Sequence, residues 1–166
     1  FAFAEFQFQF LKNNTRKFLN GVRSDYIDEV IKPMVLKKAV DLVSQHKEAG
    51  DSLLIITATN SFITKPIGEL FGIENLIGTD PEEYLGEFTG KVKGTPSFKQ
   101  GKVTRLFDWL DAREFKLTDF EKTFFYSDSH NDLALLEVVT NPVVVNGDKI
   151  LLEKAQEKNW PTLNLK

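Results

Sequence analysis

The chain has 166 residues, a formal net charge of −3, no cysteine, and only two histidines, His46 and His130. That excludes disulfides, cysteine nucleophiles, Fe–S clusters and zinc sites built on several Cys or His. Charged content of 27% and hydrophobic content of 42% suit a folded globular chain. Its basic residues are spread too evenly for a nucleic-acid surface, and no apolar run reaches the ~18 residues of a membrane helix.

The opening residues FAFAEFQFQF hold five of the fifteen Phe. They read as a helix buried on two sides, with Phe3, Phe6 and Phe10 opposite Phe1 and Phe8. A strand would need a bulge to keep parity. The segment serves either as an aromatic partner surface or as core. Asn13, Asn14 and Thr15 look like an N-cap region. A helix should follow to about Ile31, with Phe18, Val22, Ile27, Val30 and Ile31 facing inward, until Pro33 breaks it. Leu36, Ala39, Val40 and Val43 then predict a second helix that stops at Gly50.

The apolar run 52–58 predicts a strand buried on both faces, as in a parallel sheet. A helix over 61–71 containing Pro66, a strand at 75–79, and a hairpin over 82–93 follow. Val103, Leu106, Phe107 and Leu110 mark a further amphipathic helix. Residues 122–128 form a third strand, 133–139 a helix, 142–145 a fourth strand and 148–159 a last helix. Strands alternating with helices mean an α/β fold with a mainly parallel, Rossmann-like sheet. A change of character near Ile31–Val35 divides an all-helical start from the α/β remainder.

In open α/β sheets ligands gather at the carboxyl ends of the strands. After the first strand stand Thr57, Ala58, Thr59 and Asn60, read as a strand-to-helix turn. After the third stand Ser127, Asp128, Ser129, His130, Asn131 and Asp132, with two carboxylates four residues apart. Magnesium suits one or two carboxylates, with waters and phosphate oxygens completing its shell. A helix N-terminus attracts the same anion. Lys102, at the start of the helix before that strand, can aim an ammonium at the same rim. Each feature has a plainer reading too. Thr57 and Thr59 can be strand-end hydroxyls, Asp128 and Asp132 an N-cap and a first-turn dipole partner, and Lys102 a solvated charge. His130 reads as a loop residue or a donor behind the ligands, not a ligand itself.

Taken in order, LLIITATN, GKVTRL and FFYSDSHNDLALLE resemble the second, third and fourth motifs of the haloacid-dehalogenase-like hydrolases, in their phosphoserine-phosphatase-like branch (subfamily IB). The resemblance runs from about Ile31 to the C-terminus. It implies a core over 34–166 and the remainder of a small helical cap over 1–33. It implies Thr57 and Lys102 as catalytic, phosphate-binding groups, Asn60 and Asn131 as further substrate contacts, and Asp128 and Asp132 as the holders of Mg2+. The implied activity is hydrolysis of a small phosphorylated metabolite through a phospho-aspartate. Transfer to an alcohol, or a binding module that kept the fold, are the alternatives. The implied setting is cytoplasmic, with neither nucleic acid nor membrane as partner.

One motif is absent. The family's Asp-x-Asp-x-(Thr/Val), whose first Asp is the nucleophile, has no match: Asp25 and Asp28 are spaced wrongly, and Asp111 and Asp128 fail the pattern. The chain begins at Phe1 and its one methionine is Met34. The expectation is a C-terminal portion of a phosphatase, lacking the central strand that would lie between the strands at 52–58 and 123–128.

Overall fold

The structure is a computed structural model that describes residues 8–166. The reading of residues 1–7 therefore lies outside the described residues. The chain divides into two compact units, Phe1–Pro96 and Ser97–Lys166. Both are mixed α/β, and each carries its own parallel ladder.

In the first unit, residues 8–12 are helical. Phe8 is buried but Phe10 is 47% exposed, so this helix is covered on the Phe8 side and not on both. Thr15 caps helix α1 (Arg16–Tyr26) as expected, its hydroxyl accepting the Phe18 amide at 3.3 Å. The face that α1 buries is a correction. Leu19 and Ile27 are buried, whereas Phe18, Val22, Tyr26 and Val30 are each at least 40% exposed. Leu19 joins Phe8, Leu11, Phe62 and Phe88 in one apolar cluster. A one-residue step rotates a helix face by about 100°, so packing on Leu19 turns Phe18 outward.

Pro33 does not break this helix. Residues Ile27–Ile31 form a π-turn, and the Lys32 amide bonds the Ile27 carbonyl five residues back. The wider turn resets the ladder just before the residue that has no N–H to give, and helical geometry continues over Lys32–Met34. Helix α2 (Lys37–Glu48) lies where expected, yet none of its residues is fully buried, and Leu36 and Val40 are about 40% exposed.

Strand β1 (Leu54–Asn60) pairs in parallel with β2 (Asn75–Thr79). It starts and ends two residues later than expected. It is half-buried rather than covered on both faces, with Ala58 exposed. Its register shifts between Ile56 and Asn60, so Thr57–Thr59 bulge out of the ladder. Helix α3 (Ser61–Leu70) follows directly, carrying Pro66 inside it. Proline leaves the carbonyl four residues earlier without its amide. Here the Arg23 guanidinium fills that place, donating to the Phe62 carbonyl at 3.0 Å while lying 4.2 Å from the Phe62 ring centre.

Strands β3 (Pro81–Tyr84) and β4 (Glu87–Val92) form the expected antiparallel hairpin. Leu85 and Gly86 make its two-residue turn, both at positive φ (51° and 85°), the twist a tight hairpin requires.

In the second unit, helix α4 (Gln100–Asp111) precedes β5 (Phe124–Ser127). Phe107, expected inside, is 40% exposed, while Lys102, Val103, Leu106 and Leu110 are buried. A 3-10 turn at His130–Asp132 leads into a helix, α5, that covers only Leu133–Leu136, shorter than the expected 133–139. Then come β6 (Asn141–Val145), α6 (Lys149–Lys158) and a short strand, β7 (Thr162–Leu163), absent from the sequence reading. The ladder β5–β6–β7 is parallel throughout. Its core is Leu136, Val144, Leu151 and Ala155, with Phe125, Leu133 and Trp160 against it. Among the described residues, β1 and β5 are each hydrogen-bonded along one edge only. No helix among them is long and apolar enough to cross a membrane.

Candidate active site

The carboxyl end of β5 gathers the charged residues. Ser127 ends the strand on its buried side, and the chain turns at Asp128–Asn131 before Asp132 opens α5. Asp132 is 7% exposed and Lys102 6%, and they face each other with Nζ 2.5 Å from Oδ1. The Ser127 hydroxyl donates to the other Asp132 oxygen at 2.7 Å. A lysine with this burial is not the solvated charge its sequence allows. Asp132 stands at the N-cap position of α5 without a capping hydrogen bond, its side chain turned to Lys102 and Ser127. Desolvating two charges costs several kcal/mol per ion and is offset only by close geometry with further hydrogen bonds. Both are present.

Helix α4 delivers Lys102 through an unusual entry. Lys99, its N-cap residue, sits at φ 49° and ψ −123°, a region that favours glycine, and its side chain caps nothing. Backbone held in such a region costs about 1–3 kcal/mol, and it clusters where position matters.

The rest of the acid turn is closed by its own side chains. Ser129 caps the 3-10 turn, accepting the Asn131 amide at 3.3 Å and the Asn131 side-chain amide at 3.2 Å. Asp128 is exposed. Behind the turn stands Asp148, a residue that reads from sequence only as the start of the last helix. Its Oδ2 accepts the His130 amide at 2.7 Å and faces His130 Nδ1 at 2.9 Å, and its Oδ1 accepts the Leu151 amide at 2.9 Å. Partial desolvation opposes its charge. The His130 and Leu151 amides, the His130 ring bond and that ring's charge outweigh this and hold the carboxyl at about 2, below an ordinary 3.8. His130 is thus a loop residue bonded away from the two acids.

In the first unit, Thr57 lies within the β1 bulge instead of a strand-to-helix turn, half-buried, its hydroxyl accepting the Thr59 amide at 3.2 Å. Asn60 is 1% exposed, and its Oδ1 caps α3 by accepting the Ile63 amide at 3.0 Å. Its backbone carbonyl takes the Thr64 hydroxyl at 3.1 Å. The result is a capped helix N-terminus directly after a strand, an arrangement that favours anions.

As donors for a metal, Asp128 and Asp132 offer oxygen alone, the chemistry magnesium prefers. Asp128 is open to solvent, whereas both Asp132 oxygens are engaged. Two carboxylates of this kind suit a hard divalent cation in the nature of their donor atoms. Among the described residues no three His, Asp or Glu side chains converge to make a fuller cage.

Comparison with known proteins gives a consistent picture. A family model described as haloacid dehalogenase-like hydrolase matches residues 2–137. A histidinol-phosphatase from Neisseria meningitidis serogroup C (strain 8013) is 45% identical over 166 residues, covering 99% of this chain and 75% of that protein. A solved structure of a protein with unknown function from Bordetella pertussis Tohama I is 43% identical with a TM-score of 0.96, covering 98% of this chain and 73% of that one. A probable phosphoserine phosphatase from Vibrio cholerae shares the fold at 17% identity and a TM-score of 0.64, with 86% of this chain and 42% of that one covered. The family match begins earlier than the expected Ile31 and stops at residue 137, short of the C-terminus. The chain belongs to the haloacid dehalogenase-like hydrolase family.

Proposed function

We propose that the full-length protein is a magnesium-dependent phosphatase acting on a small phosphomonoester. The observation that carries this reading is the buried Lys102–Asp132–Ser127 constellation at the exit of β5. A buried ion pair is often no more stable than an apolar pair of similar volume, which supports a role for these charges beyond stability.

In this reading Lys102 neutralises and orients phosphoryl oxygens, aided by Thr57 and by the N-terminus of α3 that Asn60 caps. Asn131 donates to the same group. Asp128 and Asp132 hold the ion, and Ser127 fixes Asp132. Magnesium, when bound, would offset the repulsion between a carboxylate nucleophile and the phosphate dianion. The proposed phospho-aspartate route needs an aspartate nucleophile, and no Asp-x-Asp-x-(Thr/Val) stretch stands in these 166 residues. Residues 1–33 serve as part of a cap that selects substrate, and 34–166 as the catalytic core. A cytoplasmic setting belongs to the same reading.

The 45% identical relative is named for histidinol phosphate, which supports a phosphate ester of a small amino alcohol as the substrate class. The test is phosphate release by the full-length protein from histidinol phosphate, phosphoserine and an aryl phosphate, each with and without magnesium. Magnesium-dependent release is expected, fastest from the first. The Asp128→Asn variant should lose turnover while keeping its fold. Release that ignores magnesium, or survives Asp128→Asn, would overturn the metal assignment.

A further inference from the structure

The acids that would hold the ion sit on a turn whose shape is set from outside. Asp148 touches that turn at two backbone points. Its amide donates to the Asp128 carbonyl at 2.9 Å, and its Oδ2 accepts the His130 amide at 2.7 Å. One residue on the exit of the neighbouring strand β6 thereby pins the peptide path on either side of Ser129.

The loop that presents Asp148 is built tightly. Asn146 stands at φ 47°, its amide bonded to the Leu163 carbonyl at 3.0 Å and its Oδ1 accepting the Leu165 amide at 3.3 Å. A Cβ on Gly147 would lie 2.5 Å from Val144 Cγ1, so only glycine fits beneath it. A helix cap alone would not need a carboxylate here. Serine and asparagine cap as well as aspartate does. What they lack is a second acceptor oxygen, and Asp148 directs that oxygen at the acid turn.

We propose that Asp148 is a positioning residue for Asp128 and Asp132, holding the turn between them in the spacing that a divalent cation needs. This rests on the magnesium reading above and extends it to a residue that touches neither ion nor substrate. Partners that orient metal ligands from behind change affinity by roughly 10–100-fold when removed.

The experiment uses full-length protein and Mn2+ as the probe, counted by electron paramagnetic resonance of the free ion. Asp148→Ser keeps the cap for the Leu151 amide but cannot also reach His130. It should melt close to the wild type yet bind Mn2+ about tenfold more weakly. Its magnesium activation constant should rise by a similar factor, with kcat recovered at saturating magnesium. His130→Ala removes only the ring contact and keeps the amide bond to Asp148, so its loss should be smaller. A purely structural Asp148 would give the reverse: a lowered melting temperature in Asp148→Ala with unchanged Mn2+ affinity in Asp148→Ser. That result would overturn the proposal while leaving the magnesium reading intact. Wild-type protein that binds no Mn2+ would overturn both.

Discussion

The two parallel ladders finish their strands in opposite ways. At the exit of β5 the buried polar groups are charged: Lys102 and Asp132, with Ser127 beside them. At the exit of β1 they are neutral. Asn60 and Thr64 are 1% and 8% exposed, and both serve the first turn of α3. The burial of neutral amides and hydroxyls at a helix start is offset locally by about 1 kcal/mol of capping. A desolvated ion pair, even with its close geometry and the Ser127 hydrogen bond, gains little net stability, since an apolar pair of similar volume is often as stable or more so. The difference is one of charge: the β5 exit buries an ion pair, whereas the β1 exit buries neutral groups that hold a helix end in place.

The sharpest way to break that contrast is to remove one charge. Lys102→Met leaves the Asp132 carboxylate buried without its ammonium and should cost about 3–5 kcal/mol in urea unfolding. Pairing it with Asp132→Leu should recover most of the loss, because no charge then remains to desolvate. The double variant should still lack phosphatase activity. A cost below about 1 kcal/mol for Lys102→Met would mean that the pair is solvated, and the contrast between the two exits would disappear.

A smaller effect is expected at the neutral exit. Asn60→Ala removes the α3 cap and should cost about 1–2 kcal/mol, while Asn60→Asp, which can cap equally well, should recover most of it. Recovery of stability but not of activity in the Asn60→Asp variant would sharpen the division. It would mean that an added negative charge beside the helix N-terminus repels the substrate phosphate even when the fold is intact.

Much of both exits was legible in the sequence, for a physical reason. The spacing of Asp128 from Asp132 is a local pattern, and so is Lys102 one residue after Gly101 at a helix start. The strand at 75–79 falls where the sequence places it. What escaped depends on contacts between segments distant in sequence. Which face α1 buries is decided by Phe62 and Phe88, not by its own spacing. Pro33 looks like a breaker, yet a π-turn relieves it, and no local spacing shows that Arg23 satisfies the carbonyl left open by Pro66. Asp148 shows only its capping signal, because its second role lies 18 residues back, at His130. A Gly-Asp pair at a strand exit next to an acid turn is the signal that could have found it.

The smallest stability effect, and the finest test of the division, belongs to Thr57. Its hydroxyl makes one local bond, to the Thr59 amide two residues on at 3.2 Å, in a bulge that the ladder already leaves open. Thr57→Val keeps the branched shape, so stability should change by no more than about 0.5 kcal/mol. If the hydroxyl serves phosphate, its loss removes a hydrogen bond to a charged group, worth roughly ten- to a hundredfold in kcat/KM. Thr57→Ser should restore activity while packing less well. Equal kcat/KM in Thr57→Val and wild type would return Thr57 to the plain reading of a strand hydroxyl.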